Sequence, residues 1–89
     1  MRLVTYRRNN ESRLGVLLDK KVVDVQSAYQ KYCHATNQLT TWINSYDSML
    51  DLLKAGDDAL KVLAETIQFA QKNMSKEKDV FLELRDVAL

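Results

Sequence analysis

The single cysteine and the single histidine of the 89-residue sequence are adjacent, as Cys33-His34. A thiolate beside an imidazole is the raw material of a nucleophile–base pair, or of part of a zinc site. Neighbours on a helix, however, point about 100° apart, and the sequence has no further Cys or His to complete a ligand set. Cys33 is therefore read as a small buried hydrophobe on a helix face and His34 as a surface or satisfied histidine. Asp57-Asp58 forms the other notable pair. Two carboxylates can share a proton or hold a cation, but capping a helix start accounts for them without any ligand. Gly15 and Gly56 fall in no phosphate-cradling motif. Trp42 and Tyr46 are of the types that anchor protein partners, and equally of the types that pack a loop onto a sheet. No catalytic, cofactor-binding or metal-ligating residue is assigned from these patterns.

Charge is unevenly spread although the net value is only +1. Residues 1–31 carry seven basic side chains (Arg2, Arg7, Arg8, Arg13, Lys20, Lys21, Lys31) against three acidic ones, and residues 32–89 carry six basic against nine acidic. Cations interleaved with Tyr6 can contact phosphates and bases. The favoured reading is a solvated hairpin whose Arg and Lys discourage edge-to-edge pairing, so nucleic acid is not an expected partner. The single cysteine allows no internal disulfide, and the longest aliphatic run, Val16-Leu17-Leu18, is far too short to span a membrane. The opening residues lack the apolar run of a secretory signal. Hydrophobic content of 46% is too high for a disordered tail. A small cytoplasmic domain is expected.

Those residues are positioned by two kinds of element. Residues 2–7 alternate as a strand, with Val4 and Tyr6 on one face. Arg8–Glu11 is a turn, because Asn tolerates left-handed angles. Arg13–Leu18 and Val22–Val25 are two further strands around a turn at Asp19–Lys21, completing a meander. The period then changes. Ala28, Tyr29, Tyr32, Cys33 and Thr36 make a helical stripe, and residues 37–45 form a connection. Asp47 or Ser48 caps a short helix bearing Met49, Leu50, Leu52 and Leu53, with Gly56 ending it in a left-handed conformation. Asp57 or Asp58 caps a longer helix whose buried face is Leu60, Leu63, Ala64, Ile67 and Ala70. That stripe could also serve dimerisation, but the strands need its cover first. Lys61 and Glu65 lie one turn apart on the exposed side. A charged loop follows over Asn73–Asp79, and Val80–Leu89 is read as a fourth strand. The fold expected is α+β: a small, mainly antiparallel sheet covered by two or three helices.

The ordered wording of these segments resembles the bacterial and archaeal fumarylacetoacetate hydrolase family. The opening Met1-Arg2-Leu3-Val4-Thr5-Tyr6-Arg7 looks like that family's start, as do Arg13-Leu14-Gly15-Val16-Leu17 and Val22-Val23-Asp24-Val25. The stretch from Ser48 to Leu60 is similar to its "Met-Leu-x-Leu-Leu-x-x-Gly" helix, which runs into a second helix. Leu82–Ala88 looks like a "Val-Arg-Leu-Leu-Ala-Pro" passage, with Asp86 where the family usually has an apolar residue and Leu89 where it has Pro.

What the resemblance implies is an enzyme in two parts. Family members hydrolyse, decarboxylate or isomerise 2-oxo and diketo acids, 2-hydroxyhepta-2,4-diene-1,7-dioate among them. They use a carboxylate-held Mg²⁺ or Mn²⁺ as Lewis acid, and they are commonly dimers. Their reactive residues lie in a C-terminal domain that follows the stretch matched here. Residues 1–89 are then expected to be a single N-terminal accessory domain. It would lack catalytic residues and a cofactor of its own, and its partner would be the catalytic domain of the same polypeptide. The alternative is a stand-alone protein-interaction module without catalysis.

Overall fold

The computed structural model describes residues 2–89; Met1, the first residue of the family-like opening, lies outside them. The α+β expectation holds. Strands β1 (Arg2–Arg8), β2 (Glu11–Leu18), β3 (Lys21–Asp24) and β4 (Phe81–Glu83) form one antiparallel sheet in the order β1-β2-β3-β4. Helices α1 (Val25–Ala35), α2 (Met49–Ala55) and α3 (Asp57–Asn73) lie between β3 and β4 in the chain.

The first hairpin closes on Asn9 and Asn10, with φ of 52° and 67°. Positive φ at both central residues matches the twist of the strands, and Asn is among the few residues to adopt it at low cost. The second turn is tighter than the sequence suggested: Lys21 already belongs to β3, and Asp19 (φ 55°) bears the positive angle.

Register divides the sheet into two faces. Leu3, Leu14, Leu18, Val16, Val23 and Phe81 share one face and pack with the helices into the main core. The other carries Tyr6, Arg13, Gly15, Val22 and Asp24. Gly15 is required there. A Cβ at that position would lie 2.7 Å from Val22 Cγ1 and 3.0 Å from the Tyr6 ring, so the missing side chain makes room for the tyrosine.

Other boundaries also differ from the sequence reading: Arg8 and Glu11, expected in the first turn, already pair in β1 and β2. Val25 is the first residue of α1 rather than the last of β3, because the extended Asp24 turns its side chain to long-range partners and the chain coils immediately after it. The connection after α1 contains a 3-10 turn over Ile43–Tyr46. The expected last strand is only three residues long. It gives way to a second 3-10 turn over Leu84–Asp86, after which Ala88 bridges to Arg7.

The buried face of α3 is also rotated from the expected stripe. Ala59, Leu63, Thr66, Ile67 and Ala70 are buried, while Leu60 is half-buried and Ala64 exposed. Aromatic rings from other elements meet this helix: the Tyr46 hydroxyl donates to Ala59 O at 2.7 Å, and Tyr32 packs edge-on against Phe69. Thr66 tolerates burial because its hydroxyl donates to Val62 O, one turn back.

Candidate functional site

The densest polar cluster is one that the sequence reading did not single out. Asp24 is fully buried and accepts four hydrogen bonds. Arg13 reaches it with both ends of its guanidinium, Nε to Oδ1 at 2.9 Å and Nη2 to Oδ2 at 2.8 Å. The Tyr6 hydroxyl donates to Oδ1 at 2.6 Å, and the Ser27 hydroxyl to Oδ2 at 2.6 Å. The strands supply this geometry directly: Tyr6 lies opposite Arg13 in the β1–β2 ladder, and Gly15 lies opposite Asp24 in β2–β3. Ser27 comes from the first turn of α1.

Burial alone would favour the neutral acid, but the donors from Arg13, Ser27 and Tyr6 outweigh it and hold Asp24 below the usual carboxylate range. Burial and the neighbouring Asp24 push the Tyr6 phenol above its ordinary value. A bidentate guanidinium and two hydroxyls saturate both carboxylate oxygens. The cluster is thus a clamp joining β1, β2, β3 and α1. The available signal was a charged residue inside the apolar run Val22-Val23-Asp24-Val25, since a buried charge must be paired.

The residues singled out by type are not brought together. Cys33 is buried, its thiol donating to Leu39 O at 3.6 Å, whereas the adjacent His34 side chain is exposed. Both lie in the last turn of α1, where Asn37 (φ 55°) ends the helix. The Gln38 N–H donates to Cys33 O and the Asn37 N–H to His34 O.

Asp57 and Asp58 do not cap α3. Gly56 (φ 85°, ψ −162°) turns α2 directly into α3, so the two exposed carboxylates lie within the first turn, near the positive end of the helix. Among the described residues no group of three or more His, Cys, Asp and Glu is placed to hold a metal ion.

The partner anchors also resolve differently. Tyr46 is fully buried, edge-on to Tyr29 at 4.9 Å between ring centroids, and burial pushes its phenol upward. Trp42 is half-buried against the core, with its backbone N–H donating to the Tyr29 hydroxyl. The large apolar side chains left exposed among the described residues are instead Leu39 (86%), Leu50 (61%), Leu53 (64%) and Leu89 (66%).

The basic half is not a uniformly solvated face either. Arg13 is committed to Asp24, Lys21 lies 3.5 Å from Glu83, and Lys31 pairs with Glu77 and Asp79. Glu65 takes the Tyr32 hydroxyl at 3.3 Å rather than an ion pair with Lys61. An open groove of about 780 Å³ runs beside β4, where Arg8, Lys21, Lys76 and Lys78 are mixed with Glu77, Glu83 and Asp86. Cations and carboxylates are interspersed along it, so it offers no continuous phosphate track. No described helix is long and apolar enough to cross a membrane. No family model, curated protein or solved structure matches the chain.

Proposed function

We propose that residues 1–89 are the N-terminal accessory domain of a fumarylacetoacetate hydrolase-type enzyme. In this role the domain packs on the catalytic domain of the same polypeptide and helps shape the entrance to its site. The observation that carries the reading is the seating of the family-like words on consecutive elements. The opening words lie on β1, β2 and the β3–α1 junction, and the stretch from Ser48 to Leu60 forms two successive helices hinged at Gly56.

The parent enzyme would hold Mg²⁺ or Mn²⁺ on carboxylates of the catalytic domain, where the ion polarises an oxo acid. The residues of the accessory domain contribute no step to that chemistry. Tyr6, Arg13 and Asp24 are engaged with one another in the clamp, and Ser48 in capping α2.

The test compares the full encoded polypeptide with residues 1–89, using acylpyruvates and Mg²⁺. Turnover by the full polypeptide and none by the 89 residues is expected. Turnover by the 89 residues alone, or a reading frame that stops at Leu89, overturns the proposal. The exposed Leu39, Leu50 and Leu53 favour a second reading, a stand-alone interaction module. That reading requires a natural stop at Leu89.

A further inference from the structure

The outer edge of β1 is open along most of its length. The Arg7 N–H points away from β2 and donates to Ala88 O at 2.7 Å. Backbone groups alternate in direction along an antiparallel strand, so Thr5 and Leu3 face the same way as Arg7. Among the described residues, only Ala88 pairs with this edge. The span Leu3-Val4-Thr5-Tyr6 carries no charge, and an unpaired edge of that kind invites association. The chain itself already occupies the far end of the edge, running antiparallel to β1 and heading toward Thr5. It is brought there by β4 and by the Leu84 N–H bond to Lys20 O.

We propose that the residues directly following Leu89 form a fifth strand on the outer edge of β1. The proposal rests on the reading of this chain as one domain of a longer polypeptide. The Arg7–Ala88 bridge sets the register. The first residue past Leu89 falls opposite Thr5 and exchanges hydrogen bonds with it, and the third does the same with Leu3. Leu89 lies opposite Tyr6, and the second residue past Leu89 lies opposite Val4. A peptide from elsewhere would have to displace Ala88 or begin beyond it, whereas the continuing chain is delivered in register with its loop already closed. The strand also joins the accessory domain to whatever follows by backbone bonds, fixing the orientation in which the next domain leaves.

The full encoded polypeptide tests this by amide hydrogen exchange and cross-strand Hα–Hα contacts in NMR. The Leu3 and Thr5 amides are expected to exchange at least ~100-fold more slowly than the turn amides of Asn9 and Asn10. Close Hα–Hα contacts are expected between Tyr6 and Leu89, and between Val4 and the second residue past Leu89. Exchange as fast as in the turn, in a polypeptide that turns over acylpyruvates, overturns the strand and leaves the accessory reading standing. Protection accompanied by contacts to a second copy or to another segment overturns this occupant in the same way. A reading frame that ends at Leu89 overturns both.

Discussion

The two faces of the sheet are stabilised by different physics. Under the helices, Leu14, Val16 and Val23 meet Val25, Tyr29, Leu63 and Ile67 in a contiguous apolar core. On the opposite face, one buried carboxylate draws two strands and a helix start onto itself. The apolar face gains free energy with area and depends little on direction. The polar face depends on geometry, because a buried charge is tolerated only while every partner stays in place. The groups best suited to chemistry, a carboxylate between a guanidinium and a phenol, thus serve architecture.

Removing the centre of the clamp should separate the faces most clearly. Asp24→Ala leaves the partly buried Arg13 with only the exposed Glu11 carboxylate, 3.5 Å away, and is expected to cost about 3–5 kcal/mol in urea unfolding. On the helical face, Leu63→Ala removes a fully buried side chain and should cost about 2–5 kcal/mol. The two losses should add, because the residues belong to opposite faces and share no partner. Strong coupling between them would break the distinction. Gly15→Ala forces a methyl against Val22 and Tyr6 on the clamp face, for about 1–3 kcal/mol. Ser48→Ala is the smallest, about 1 kcal/mol. It deletes the hydroxyl that accepts from the Asp51 N–H at 3.1 Å, and should leave the clamp untouched.

Acidity discriminates further. Asp24 ionises more readily folded than unfolded, so its contribution is complete above the unfolded value near ~3.9 and is lost as pH falls through its lower folded value. Tyr6 behaves oppositely. Its raised phenol contributes below the unfolded value near ~10 and loses that contribution as pH rises toward the folded one. In Asp24→Asn, the acid-side loss attributable to this carboxyl should disappear from the pH dependence of the urea midpoint.

The local features of the fold were legible because their causes are local. Alternation and Asn9-Asn10 announce the first hairpin, Ser48 with Asp51 marks the start of α2, and Gly56 marks its end. The clamp was not legible, since Asp24 takes its partners from 11 and 18 residues away and the choice between strand and helix at Val25 follows from them. The burial of Tyr46 and the rotation of α3 also escaped a periodic pattern. Both depend on tertiary placement: the Tyr46 hydroxyl reaches Ala59 O, and Ala59 and Thr66 are buried where Leu60 and Ala64 were expected to be. Of the side chains singled out for chemistry, Cys33 is buried as expected, and His34 takes the surface setting of the two expected for it.

The most direct test of the architectural role is the titration of the Asp24 side-chain carboxyl, followed by its carbon-13 shift. A saturated structural clamp predicts ionisation below the ordinary carboxylate range, ending in acid unfolding. A carboxyl that instead takes up its proton between about pH 5 and 7 with the fold intact would have the poise of a general base, and would contradict the account.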